Sequence, residues 1–265
     1  MKDEPEDKPA RSTRQRPDAT AGAAGRKHCK PFNMPLEEAM RSQRALRRLR
    51  PDPVDDELLL HVLDLALRAP NGGNHQNVDF LVLKDPAAKA GLARLNRTAW
   101  NLYGNVWRFF AGGDDKTLRA MKAVDYAAEH YAETPVLVVV CLRVVRYGPI
   151  VSGFRLPFPA FWDAIFYGTA FPAVQNLLLA CRAAGLGAAL NVMPLWNLTL
   201  ARAALGLPLW VTPVAVVPIG WPMGHYGPTS RPAIESVVHV DRWDNLAFGA
   251  DNAASKTPGA KRRPR

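Results

Sequence analysis

The sequence predicts an α/β or α+β fold built on one mixed sheet, and three observations lead there. After Thr134-Pro135 runs VLVVVCLRVV, β-branched and almost without polar alternation, as expected of a central strand covered on both faces. Val78 to Leu83 alternates as a strand, and residues 213–220 (PVAVVPIG) supply a third. Stretches with helical spacing precede and separate these runs, so helices alternate with strands along the chain.

Taken in order, residues 1–34 mix both charges with Pro, Ala and Gly and show no periodicity, which predicts a disordered N-terminal tail. Leu36 to Leu49 reads as a helix with acids early and arginines late, and it ends at Arg50-Pro51. A second helix opens on Asp52, Pro53, Asp55, Asp56 and Glu57, where orphan N–H groups favour acids. Leu58, Val62, Leu65, Ala66 and Ala69 form its core-facing stripe. Helices follow over Ala87 to Gly104 and Lys116 to Tyr131, with Trp100, Tyr103 and Trp107 clustered near the end of the first and beyond it.

Tyr147 to Trp162 carries Gly, Pro and aromatics without period and reads as a long irregular segment. Thr169 to Ala184 is the most apolar helix, with Thr169 as its cap and Pro172 in its first turn, and it should be buried nearly all round. GLGAALNVMP is a short strand or extended loop, and LTLARAAL is a small helix closed by Gly206 and Pro208. IESVVHVDRW is expected as a last extended segment, before a disordered basic tail over residues 246–265.

With 265 residues and 48% hydrophobic content the chain can bury one sizeable core, over residues 35–245. The net charge of +10 falls to +5 in the body once residues 1–40 and 246–265 are set aside. That excess suits anionic ligands or a solvated mixed surface, and the basic C-terminal tail reads as solubilising, with no nucleic acid expected as partner. Cys29, Cys141 and Cys181 are widely spaced, which excludes a disulfide framework or a zinc site and points to a reducing compartment. The charged N-terminus has no signal-peptide core and the run Thr134 to Val145 is too short to span a bilayer, so a cytoplasmic protein without a membrane partner is expected.

Two stretches carry chemistry. Arg44, Arg47, Arg48 and Arg50 fall within seven residues and are either a solvated face or an anion site, since the guanidinium fork matches phosphate. The loop APNGGNHQNVDF, residues 69–80, joins helix to strand. It is either a plain polar connection or a surface for hydrogen-bonding something flat, with glycines permitting close approach and amides presenting donor and acceptor together. The sequence holds no G-x-G-x-x-G after a strand, no P-loop, no G-x-S-x-G and no H-E-x-x-H.

Four stretches, QRALRRLRPDPV, APNGGNHQ, FPAVQNLLLACRAAGLGAAL and the pair PVAVVPIGWP with GHYGPTSRP, resemble in order and spacing the nitroreductase-like family of FMN-dependent oxidoreductases. The resemblance covers Leu36 to Trp243. It implies an α+β fold with a mixed sheet wrapped by helices, in a domain-entwined homodimer with two FMN sites at the interface and the helix Thr169 to Ala184 in the dimer core. Residue by residue it places Arg44 and Arg47 at the FMN phosphate and ribityl chain, with Ala45 where the family usually has Ser or Thr. Arg231 falls on the C-terminal phosphate-binding arginine. Pro70, Asn71 and Gly72 fall on the segment lying against the flavin of the neighbouring subunit, Asn74 and Gln76 near the ribityl chain or ring, and Leu190, Asn191 and Val192 near the flavin's redox face.

The implied activity is hydride transfer from NADH or NADPH through FMN to an electron-poor small molecule such as a nitroaromatic or a quinone. The cofactor carries that chemistry, so no catalytic acid or base and no metal is expected. The rival reading is an FMN store without turnover, suggested by the aromatic segment Phe154 to Trp162.

Overall fold

The computed structural model of the chain describes residues 31–110, 115–143 and 159–246. Most of both expected tails and the stretch 144–158, including Phe154 and Phe158, lie outside the described residues. Six helices are described, α1 (Leu36–Ser42), α2 (Asp56–Ala66), α3 (Pro86–Phe110), α4 (Asp115–Glu129), α5 (Pro159–Ala183) and α6 (Leu198–Leu205). Four strands accompany them, β1 (Val78–Leu83), β2 (Val136–Leu142), β3 (Gly187–Ala188) and β4 (Thr212–Gly220).

The strands form one sheet in the order β1-β2-β4-β3. Every described pairing is antiparallel, which corrects the expectation of a mixed sheet. The reason lies in the connections: β1 is followed by the pair α3 and α4, and a two-helix excursion returns the chain to the end it left, so β2 runs back along β1. Both faces of the sheet are covered. Leu137, Val139 and Cys141 of β2 pack with Leu92 of α3 and Ala201 of α6, while Leu142 packs with Phe166 and Ala170 of α5 on the opposite side. Double coverage explains why β2 and β4 are buried at every position and why their sequences fail to alternate.

Four helical boundaries or faces differ from expectation for identifiable reasons, and α3 also runs past the expected Gly104 to Phe110. α1 stops at Ser42, because Gln43 turns to extended geometry (ψ 125°) and residues 46–50 are drawn into the sheet margin. There the Leu46 N–H donates to the Ala188 carbonyl at 3.2 Å, Leu49 bridges Pro222, and the Arg50 N–H donates to Trp221 at 2.7 Å. Helix propensity loses here to backbone pairing. In α2, capped by the Asp55 carboxylate on the Leu58 N–H at 3.0 Å, the buried stripe is Leu59, Val62, Leu63 and Ala66, with Leu58 and Leu65 half-buried at its margins.

α5 starts ten residues before Thr169, so residues 159–162 are helical and Pro172 lies in the helix interior. Thr169 turns its hydroxyl back onto the Ile165 carbonyl at 2.9 Å, an interior use of a residue whose sequence context imitates a cap. Ala170, Ala173, Val174, Leu177, Leu178, Ala180 and Cys181 are buried, but Ile165, Tyr167, Gly168 and Gln175 are exposed, so burial is one-sided in this chain. Ala164–Ala183 is long and apolar enough to cross a bilayer by length and composition, and half of its most apolar window is buried within the fold, as in a core helix. The segment expected to be extended, residues 234–243, holds a short 3-10 turn, Ile234–Ser236, and no strand among the described residues.

Candidate functional site

The arginine-bearing segment is held at the β3 edge of the sheet by backbone bonds on both sides. Besides the Leu46 and Arg50 bonds, the Met223 N–H donates to the Arg48 carbonyl at 3.0 Å. Leu49 fills the space above Gly187, where an added Cβ would come within 2.5 Å of the Leu49 Cδ2, so any larger residue there requires the Leu49 side chain to move aside. Further along, the Thr229 N–H and hydroxyl both donate to the Arg41 carbonyl, at 3.0 and 3.1 Å. The C-terminal stretch GHYGPTSRP is thereby laid beside the end of α1, and Arg44 Nη1 lies 3.9 Å from where Gly227 would carry a Cβ. The turn bearing Arg231 and the segment bearing Arg44 and exposed Ala45 are neighbours despite their separation in sequence.

The charges there are unbalanced. Nearby arginines have carboxylate partners: Arg41 with Glu37 at 2.7 Å, Arg50 with Asp52 at 3.2 Å, and Arg182 with Glu38 at 3.7 Å. Among the described residues Arg44, Arg47 and Arg231 form no ion pair, and Arg231 Nη1 donates to the Ser230 carbonyl at 2.8 Å. Arg47 is half-buried, and burial pulls its pKa below the ordinary arginine value, the mark of a guanidinium desolvated without compensation.

Beneath Arg47 opens a cavity of about 180 Å³, whose wall includes Leu190, Asn191, Val192, Asn96, His130 and Tyr131. Asn191 is fixed four ways. Its backbone N–H and carbonyl bond Val216 at 2.9 and 2.8 Å, its Nδ2 donates to Asn96 Oδ1 at 2.9 Å, and its Oδ1 accepts the Met193 N–H at 3.0 Å. Its backbone is therefore already committed, leaving the exposed neighbours Leu190 and Val192 to present surface to a ligand. Tyr131 is 2% exposed and its hydroxyl reaches no partner of good hydrogen-bond geometry among the described residues, the Asn191 side chain being the polar group it faces. Burial raises its pKa far above the usual phenol range. An orphaned donor at a cavity wall is the kind of group a bound molecule satisfies.

The loop expected to face a flat heterocycle lies elsewhere. The Gln76 N–H donates to Asn71 Oδ1 at 3.0 Å, the Asn74 N–H donates to the Asn71 carbonyl at 3.1 Å, and the Gln76 carbonyl accepts Arg143 Nη2 at 2.6 Å. Gly73, Asn74 and Gln76 take positive φ of 58°, 52° and 47°, folding the loop into a tight exposed knuckle beside Thr169 of α5. The start of β1 is level with Thr212 of β4, whereas Ala188 pairs with Ile219 three strand steps across the sheet. At ~4.8 Å per strand and ~3.3 Å per residue the loop and the β3 edge are about 25 Å apart, farther than one mononucleotide reaches. The structure thus brings Arg47, Leu190, Asn191 and Val192 to one cavity and sets Arg44 and Ala45 beside the Arg231 turn. It leaves Pro70, Asn71, Gly72, Asn74 and Gln76 at the opposite corner of the sheet.

Sequence reasoning missed Asn96 and Tyr131. Asn96 had a legible signal, a polar residue on the helical face of Leu92, Ala99 and Trp100, all buried. Tyr131 had none beyond its position just before the central strand.

A two-faced antiparallel α+β core carries a basic segment at its β3 edge, beside a mostly apolar cavity with a few polar groups in its wall. Residues 40–221 match the model of the nitroreductase family, and the chain belongs to that oxidoreductase family. It is similar to the NADH dehydrogenase of Thermus thermophilus, 26% identical over 219 residues that span 74% of this chain and 91% of that protein. Solved structures share the fold. One is a Desulfovibrio desulfuricans protein described as a nitroreductase and determined with FMN (TM-score 0.55, 22% identity, covering 78% of this chain and 96% of that one). Another is the NADPH:FMN oxidoreductase of Vibrio harveyi determined with NAD+ (TM-score 0.58, 20% identity, covering 83% and 82%).

Proposed function

We propose that the chain is an FMN-dependent oxidoreductase that draws reducing equivalents from NADH or NADPH and delivers them to an electron-poor small molecule such as a nitroaromatic or a quinone. The observation that carries this reading is the set of uncompensated arginines, with Arg47 desolvated above the cavity of Leu190 to Val192. Arg44 and Arg231 would hold a phosphate dianion that supplies the missing countercharge, and Arg47, Leu190 and Val192 would line the place of the flavin ring. When bound, FMN would accept two electrons and a proton from the nicotinamide and release them to the acceptor. This chain's residues bind and orient: Arg44 and Arg231 hold the phosphate, Asn191 keeps the 190–192 backbone rigid, and Arg47 places positive charge where the ring gains negative charge.

The loop Pro70 to Gln76 belongs to this site only across a two-fold axis. In a homodimer the exposed Ile165 of α5, Leu60 and Leu67 of α2, and Leu36 and Met40 of α1 would be covered, and a partner's loop would close the flavin pocket. Two buried free thiols, Cys141 and Cys181, suit a cytoplasmic home.

The test is direct. Purified protein should carry, or take up, one FMN per chain, bleach when NADPH or NADH is added without oxygen, and recover its colour on addition of a nitroaromatic. A colourless protein that takes up no FMN overturns the reading, and bound FMN that neither cofactor bleaches leaves a flavin-binding protein without turnover.

A further inference from the structure

The Arg182 side chain, 14% exposed, lies in the last turn of α5 and touches both the end of α1 that leads to Arg44 and the turn that leads to Arg231. Its Nε donates to Ser42 Oγ at 2.8 Å, at the final residue of α1 and two positions before Arg44. Its Nη2 is 3.7 Å from Glu38, one helical turn earlier. Its guanidinium carbon stacks 4.3 Å from the ring centroid of Tyr226. Tyr226 is in turn anchored by its hydroxyl, which donates to the Leu186 carbonyl, and precedes Gly227, the neighbour of Arg44. Ser42 also donates its hydroxyl proton to the Glu38 carbonyl at 2.6 Å, so the oxygen receiving Arg182 is itself oriented.

These contacts turn the Arg182 charge inward and spend it on geometry. One planar group fixes the exit of α1 by hydrogen bond and the 224–231 turn by stacking, and planarity with directional donors is what a lysine in its place lacks. Resting on the flavin reading above, we propose that Arg182 is a positioning residue for phosphate recognition: it sets the spacing between Arg44 and the Arg231 turn and so determines preference for the phosphorylated flavin, FMN, over riboflavin. Charges held in place before binding lose less freedom on binding, so the gain falls on the group they grip and leaves the ring contacts unchanged.

The experiment measures dissociation constants of FMN and of riboflavin for the full-length apoprotein by fluorescence quenching, in wild type, Arg182→Met, Arg182→Lys, Ser42→Ala and Arg44→Ala/Arg182→Met. Arg182→Met should weaken FMN binding roughly ten-fold, the scale of one misplaced charge-assisted hydrogen bond, while riboflavin changes by less than about two-fold. Arg182→Lys should recover only part of that loss, and the effect of Arg182→Met should vanish in the Arg44→Ala background, because a positioning residue has nothing left to position. Equal losses for FMN and riboflavin, or full additivity with Arg44→Ala, would assign Arg182 an ordinary structural role and overturn the proposal. Should Arg182→Met fail to fold, Ser42→Ala removes one of its anchors with little disturbance, and an unchanged FMN-to-riboflavin ratio in that variant equally overturns it. A wild type that binds both flavins alike, or neither, refutes the phosphate reading itself before any variant is compared.

Discussion

Arg47 gives the sharpest separation between a residue kept for stability and one kept for a ligand. It is half-buried, has no carboxylate among the described residues, and its pKa is lowered by burial alone. Replacing it by Met keeps most of the aliphatic stem and removes the desolvated charge, so the ligand-free protein should become more stable, by on the order of 1 kcal/mol, or about 2–4 °C in Tm for a domain of this size. FMN binding should move in the opposite direction. Loss of one charge-assisted contact is worth roughly 1.5–3 kcal/mol, about ten- to a hundred-fold in Kd. Thermal melts of apoprotein and FMN titrations of the same preparations read both numbers. A variant that melts lower than wild type and binds FMN unchanged would show that Arg47 serves packing, and would remove the main support for a cofactor in this cavity.

Arg231→Ala should weaken FMN about ten- to a hundred-fold with the apo fold intact, and Arg231→Lys should recover only part, as an ammonium cannot form the paired bonds of the fork; matching titration curves would take Arg231 out of the site. Gly187→Ala should destabilise the chain by about 1 kcal/mol or less in urea melts, because the tip of Leu49, 2.5 Å from the new Cβ, must move aside, and Leu49→Ala in the same chain should remove that cost; equal cost in both backgrounds would contradict the packing described. Burial raises the thiols of Cys141 and Cys181 from 9.0 to about 12, so they stay protonated in the folded chain while the unfolded chain ionises them. Their contribution is complete below pH ~9 and is lost between ~9 and ~12 at up to about 1.4 kcal/mol per pH unit per thiol, and Cys181→Ala should flatten the slope of unfolding free energy between pH 9 and 10.5. An identical slope in that variant would refute the assignment.

Where local pattern and final environment agree, the sequence was readable. The Asp55 cap of α2, the left-handed Gly206 that ends α6 (φ 61°), and the unbroken apolar runs of β2 and β4 each follow from one residue type meeting one local need. Legibility failed where a distant partner outbid local preference. Residues 44–49 have the composition of a helix, and only the chain around Gly187 and Trp221 turns them into a sheet margin. Thr169 with Pro172 imitates a helix start, but the helix runs on from Pro159, with Phe166 and Ala170 packed against Leu142 of β2 on either side of Thr169. In the candidate site, the arginines were visible as a cluster, but their lack of carboxylate partners was not, since pairing depends on which acids the fold brings near. Arg182 was invisible for the same reason: an arginine near the end of an apolar helix looks like dipole complementation until Ser42 and Tyr226 arrive beside it.

The bridge between Leu49 and Pro222 also sets a timetable for biosynthesis. About 170 residues must be polymerised after Leu49 before its partner exists, and at ribosomal speeds of ~5–20 residues per second that is roughly 10–30 s. Throughout that interval the arginine-bearing segment lacks its partners at Trp221 and Pro222, and until Pro218 is made the cavity beside it lacks part of its wall. A nascent chain therefore cannot recruit its ligand while still short. Acquisition falls to the nearly finished polypeptide, and termination between Trp100 and Trp221 yields a product whose first hundred residues are intact in sequence yet whose arginine-bearing segment lacks its partners at Trp221 and Pro222.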